Sequence, residues 1–161
     1  MAFDAFLELD GVEGESTRAG FEKQIEMQSF SFGANNPTSI GSGGGAGSGK
    51  AQLSRFMITK KTDSSSTALF QACCTGKHFP TAKMTFHKAG GEEALPYLTY
   101  EFEKVFVETI DWSGASGGDD RPTETVALAF GKVSILYQAQ SEAGAAAGTY
   151  SASWDVEKVS A

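Results

Sequence analysis

The sequence predicts a mainly β fold, a small β-barrel of two antiparallel sheets with one flanking α-helix. Three observations carry that expectation. Apolar and polar residues alternate at period two over most of the chain, the signature of half-buried strands. Only residues 64–75 space their apolar side chains as a helix does. In two long strands the inward parity changes midway, at Gln28-Ser29 and at Gly131. Strands that turn a corner in a barrel or orthogonal sandwich do this through bulges and glycine bends.

The elements follow in order. Phe3, Ala5, Leu7 and Leu9 alternate in a first strand, and the acidic turn 10–16 follows. That turn lacks the spaced ligands and closing Glu of a calcium loop, so it reads as solvated. A second strand covers 23–33. Ile25 and Met27 share one parity, Phe30 and Phe32 the other. Residues 41–50 are a long Gly/Ser loop, and 51–61 read as strand through Phe56, Ile58 and Thr59. The helix at 64–75 takes Asp63 or a following Ser as its cap and puts Leu69, Ala72 and Cys73 on one face. Gly76 stops it, with Pro80 beyond. Ala82, Met84 and Phe86 form a strand, and a glycine turn leads to a long strand over 97–112. Its apolar residues Leu98, Tyr100, Phe102, Phe106, Ile110 and Trp112 share one parity. After the loop 114–122, one strand runs through 123–138 with a bend at Gly131. Residues 143–148 read as a flexible connection. The last strand turns Tyr150, Ala152, Trp154 and Val156 to one side.

A chain of 161 residues is expected to form one domain, 1–161, with a substantial core. A 40% hydrophobic content with 12 Phe fits a folded chain. The net charge of −7 argues against nucleic acid, whose phosphates need a basic stripe, and against docking on anionic membranes. The sequence holds no run of about 18 apolar residues, so no membrane insertion is expected. The start lacks the basic and apolar regions of a signal peptide. The expectation is a protein that is cytoplasmic when made, and any export reads no cleaved leader. The adjacent Cys73 and Cys74 read as small reduced core residues, since a bridge between neighbours is strained.

Candidate chemistry is sparse. Gly44, Gly49 and Lys50 match part of a phosphate loop, but Ala51 stands where a magnesium-ligating hydroxyl belongs. A phosphate loop also opens a helix, and strand follows here. No serine elbow precedes a helix, and the Glu92-Glu93 and Asp119-Asp120 pairs lie in glycine-rich turns. His78 and His87 make no zinc spacing with the cysteines. The reading is a non-enzyme with no cofactor, no metal and no catalytic residue. A lectin-like binding module stays open beside an assembly protein.

One set of motifs is specific. The strings 11–16, Phe30-Ser31-Phe32-Gly33, Gly49-Lys50, 75–80, Lys88-Ala89-Gly90-Gly91 and 117–124 resemble, in order, those of the haemolysin-coregulated proteins (Hcp). The resemblance covers about residues 3–156. Members often carry tryptophan where Phe30 and Phe32 stand. The resemblance implies a homo-hexameric ring. Rings would stack into the inner tube of the type VI secretion system. A contractile sheath would wrap the tube, a spike protein would tip it, and effector proteins would ride in its lumen. Tail tubes of contractile phage-like particles are the related alternative. Ending at Ala161, just past the last strand, the chain is expected to be a plain tube subunit. In such a ring, Ser29 and Ser31 point away from Phe30 and Phe32 and are assigned to the lumen, where small polar groups would not trap cargo. Asn35, Asn36, Gly43, Gly44, Gly45, Lys50, Asp119, Asp120 and Arg121 are assigned to ring stacking or subunit contact, because long loops supply such contacts.

Overall fold

A computed structural model describes residues 3–39, 47–88, 96–140 and 146–161. The strands are β1 (Phe3–Leu9), β2 (Ile25–Met27), β3 (Ser29–Ser31), β4 (Ala34–Asn35), β5 (Thr38–Ser39), β6 (Gly47–Ser48), β7 (Gln52–Leu53) and β8 (Phe56–Lys61). The helix α1 (Ser66–Thr75) precedes β9 (His78–Lys88), β10 (Leu98–Ser113), β11 (Thr123–Ala129), β12 (Lys132–Gln140) and β13 (Ala146–Asp155). The mainly β fold with one helix is the expected class. The strands form one nine-stranded antiparallel sheet, ordered β2-β1-β9-β10-β11-β8-β3 with β12 and β13 branching from β10, plus two two-stranded ribbons.

The sheet is not a closed barrel. Its path ends on β2 and β3, which have no ladder between them because they are successive pieces of one chain segment. The break between them is the expected bulge: the Gln28 amide leaves the β1 ladder and donates to the Thr59 carbonyl at 2.7 Å. Ile25 and Met27 are buried, and Phe30 and Phe32 pack on the core with the opposite parity.

The corner expected at Gly131 is wider than one strand. Along β9 the buried residues pass from Phe79 to Ala82, along β10 from Phe102 to Val105, and Gly131 separates buried Leu128 from buried Val133. All three changes lie on one line across the sheet, through Pro80, Lys104 and Gly131, with the β9–β10 register unbroken. Lys104 has φ 56, and one left-handed residue turns the side chains after it to the other face. A Cβ on Gly131 would come within 3.3 Å of the Lys104 Cβ, so a side chain there would have to push Lys104 aside by a few tenths of an ångström. The expected single strand over 123–138 is thus two strands, β11 and β12, split at this corner.

The same corner corrects the expected single parity of β10. Val105 and Val107 face the core after it, and Phe106 faces away, 5.7 Å from the His78 ring. A bulge at Glu108 then restores the parity of Ile110 and Trp112.

Ring stacking joins the two layers. Phe56 lies 5.5 Å from Phe30, 5.5 Å from Phe32 and 5.2 Å from both Tyr100 and Phe102. Burying each such ring contributes about 1.5–3 kcal/mol. α1 inserts Leu69 and Ala72 into this core and ends on Gly76 at φ 70, as expected. It starts at Ser66, two residues into the expected span, and its N-cap is Ser65, one of the expected cap residues; the Asp63 carboxylate accepts the Ser65 amide at 2.8 Å. Cys73 is half-buried and Cys74 exposed, both free thiols, so the pair is not core. Only one of two adjacent helical positions can face a sheet.

Candidate assembly interface

Three surfaces lie open on this scaffold. The first is the outer face of β3, β8 and β11. Phe30 points inward, so Ser29 and Ser31 point outward and are exposed. They pair across the ladder with Thr59 and Met57.

The second is an arm. The glycine-rich segment expected to be a loop is a two-step hairpin at its base. Ala34 and Asn35 pair with Leu53 and Gln52, and Thr38 and Ser39 pair with Ser48 and Gly47. The Gly49 amide closes on the Pro37 carbonyl at 2.6 Å, where a Cβ on Gly49 would sit 2.7 Å from that oxygen. Asn35, Asn36 and Lys50 are exposed on it. Gly43, Gly44 and Gly45 lie outside the described residues, as do Glu92 and Glu93. After Lys50 comes strand β7 and not a helix, so no helix N-terminus stands where a phosphate loop needs one.

The third is the overhang of β12 and β13. Their inward residues run past the end of the core: Val133 is buried, Ile135 and Trp154 are half-buried, and Tyr137 and Tyr150 are 46% and 66% exposed. With Phe32, Ala34 and Leu53 of the arm's foot, Ile135, Ala152 and Trp154 line an apolar groove. The expected inward face of the last strand is therefore largely uncovered in one chain, and β13 starts at Ala146, inside the stretch read as a connection. Burial and the neighbouring Tyr137 push the Tyr97 hydroxyl above its ordinary pKa, and burial raises Tyr100.

Asp119, Asp120 and Arg121 stand elsewhere, on the exposed loop before β11. Lys61 bonds Asp119 and holds its carboxyl below the ordinary value of 3.8. Arg121 donates to the Thr62 carbonyl at 3.1 Å and lies 3.7 Å from Glu15. The arm and this loop are thus two separate features.

One polar cluster is not visible in the sequence pattern, which shows Glu124 only as a residue at the start of a strand. Glu124 and Lys60 are both fully buried. The Lys60 ammonium lies 2.9 Å from Glu124, 3.1 Å from Asp63 and 3.2 Å from the Ser66 hydroxyl. The Ser66 hydroxyl donates to Glu124 at 2.5 Å, and the Trp112 indole N–H donates to the same carboxylate at 2.9 Å. Every atom of that carboxylate serves the contact between β8, β11, β10 and the start of α1. The parity of Lys60, between inward Ile58 and the helix cap, was the available signal. Among the described residues, no group of three or more His, Cys, Asp and Glu converges as a metal site needs, and no helix is long and apolar enough to cross a membrane.

The described residues thus present uncovered apolar strands, an exposed hairpin base, and a buried ion cluster that joins strands to helix. The family model for "Type VI secretion system effector, Hcp" matches residues 6–137. Protein hcp1 of Pseudomonas aeruginosa is 38% identical over 148 residues, 92% of this chain and 91% of that one. A solved type six secretion system protein superposes with a TM-score of 0.92 at 36% identity, covering 98% of both chains. Hcp1 of Salmonella typhimurium superposes at 0.80 with 31% identity, over 98% of this chain and 97% of that one. The chain belongs to the Hcp family, the tube and effector proteins of the type VI secretion system, which is a structural family and not an enzyme family.

Proposed function

We propose that residues 1–161 act as one tube domain that closes into homo-hexameric rings. The rings stack into the inner tube of the type VI secretion system, inside a contractile sheath and behind a spike protein, and hold effector proteins in the lumen. The chain is made in the cytoplasm and leaves with the tube. The observation that carries this reading is the uncovered β12–β13 overhang in a member of this family. Exposed aromatic area of this kind marks an interaction surface. A ring needs two different patches that mate between neighbours, and the overhang supplies one. The arm, with Asn35, Asn36 and Lys50, reaches a neighbouring ring or subunit, and Gly43, Gly44 and Gly45 are assigned to the same contact. The loop of Asp119, Asp120 and Arg121 supplies a further contact. Ser29 and Ser31 line the lumen, and no cofactor takes part. Light scattering tests the ring: the mass expected is six times that of the 17.0 kDa chain. A monomer at every concentration overturns the reading.

A further inference from the structure

The ladder places a second feature beside Ser31. Ser31 pairs with Met57 on β8, Met57 with Ala127 on β11, and Ala127 with Thr109 on β10. Directly opposed side chains of antiparallel strands share a face. Met57 is 40% exposed there, whereas Met27 and Met84 are 7% and 0% exposed. The next row runs Ser29, Thr59, Thr125 and Asp111. Asp111 is exposed and makes no ion pair or hydrogen bond among the described residues.

Two of the cations bordering this face are already paired. Arg55 is tied to Glu108 and Lys61 to Asp119. Between them lie hydroxyls and the small Ala127, with one soft apolar side chain at Met57 and an unpaired carboxylate at Asp111; a second exposed carboxylate, Glu26, stands at the edge near Gln28 and Lys61. Two strands and one row separate Met57 from Asp111, about 12 Å at ordinary sheet spacings. Exposed hydroxyls and surface ion pairs add little net attraction, about 0–1 kcal/mol each. A thioether on an unbranched chain adapts to varied apolar surfaces. Attraction on this face therefore has two sources, Met57 and Asp111.

We infer that Met57 and Asp111 form the cargo-recognition patch of the Ser31 face. Its occupant is a folded effector protein whose contact surface sets an apolar side chain beside a lysine or arginine. The charge argues for this occupant: with Arg55 and Lys61 paired, the unpaired Asp111 carboxylate, and Glu26 at the edge, leave the face net acidic, which attracts a cation. The inference rests on the reading of Ser29 and Ser31 as lumen-facing. Repetition around a ring multiplies a weak single patch into stable retention.

The probe is the effector that wild-type rings retain, identified by mass spectrometry, purified and titrated back onto purified rings by calorimetry. Met57→Thr and Asp111→Asn are each expected to weaken binding about tenfold or more, and Met57→Leu to keep it. Added salt should weaken wild-type binding more than that of Asp111→Asn. A peroxide footprint on the unaltered protein needs no variant to fold. Met57 should oxidise in empty rings and be protected in loaded ones, while Met27 and Met84 stay unreacted in both. If Ser31→Gln impairs binding but Met57→Thr and Asp111→Asn bind normally, the patch is overturned and the lumen reading stands. If Ser31→Gln also binds normally, both fall. An unprotected Met57 in loaded rings, or wild-type rings that retain no effector saturably, overturns the inference as well.

Discussion

Replacing Lys60 by Met tests what the buried cluster does. The ammonium is fully buried between Glu124, Asp63 and the Ser66 hydroxyl. Methionine fills most of the volume and removes the charge, leaving the Glu124 and Asp63 carboxylates without the cation they share. Breaking a buried pair from one side costs about 3–5 kcal/mol, because the remaining charge has lost its compensation. For a chain of this size each kcal/mol lowers Tm by about 2–4 °C, so the expected loss is about 6–20 °C. Trp112, which donates to Glu124 at 2.9 Å, reports the local change in its fluorescence. Adding Glu124→Leu to Lys60→Met removes both charges. The pair should then cost less than the sum of its two singles, a coupling of about 0.5–3 kcal/mol or more. The assay is denaturant and thermal unfolding over a concentration series, since assembly makes Tm concentration-dependent. A loss under about 1 kcal/mol for Lys60→Met, the range of an exposed pair, or strict additivity of the double variant, would refute the reasoning.

Smaller perturbations check other parts. The Asp119 carboxyl is held low by Lys61, so its contribution to stability is present above the ordinary value of 3.8 and lost as pH falls through the lowered value. In Lys61→Met the Asp119 carboxyl resonance should titrate at its ordinary value; an unchanged titration removes Lys61 as the cause. A Cβ at Gly14 would meet the Gln24 carbonyl at 2.5 Å, so Gly14→Ala should lower Tm clearly, while Gly33→Ala, with open space, should not. Arg121→Ala should change monomer stability by about 0–1 kcal/mol, and a loss of rings at unchanged fold in light scattering would place it at a contact. Deleting residues 41–47 should leave a folded protein, by circular dichroism, that no longer forms tubes in electron micrographs. Normal tubes would exclude the arm from stacking.

Much of the fold was legible because period-two alternation survives wherever one face is buried. Phe3–Leu9 and the parity change at Gln28 could be read residue by residue. The stop at Gly76 was legible because a left-handed residue after a helix favours glycine. The corner at Lys104 was not, since nothing in a lysine announces a positive φ. The intact even spacing of Phe102 and Phe106 concealed it, so Phe106 was put on the wrong face. The arm's pairing was hidden because Gly and Ser carry no side-chain pattern to alternate. The Lys60–Glu124 pair joins residues far apart in sequence on two strands, and charge spacing along a chain says nothing about such partners. The β13 alternation was legible as a pattern, and the structure leaves its apolar side largely uncovered. Apolar periodicity marks a face that will be covered, whether by its own chain or by a neighbour. Ser29 and Ser31 were legible as outward, because their parity opposes Phe30 and Phe32. Their direction in an assembly depends on contacts that one chain does not contain.

Electron cryo-microscopy of the purified protein tests the central claim most directly. The account predicts a six-fold ring in which Ser29, Ser31 and Met57 line the lumen and Tyr137 and Tyr150 are buried against a neighbouring subunit. Rings with Ser31 on the outside, or with Tyr137 and Tyr150 still open to solvent, would contradict it.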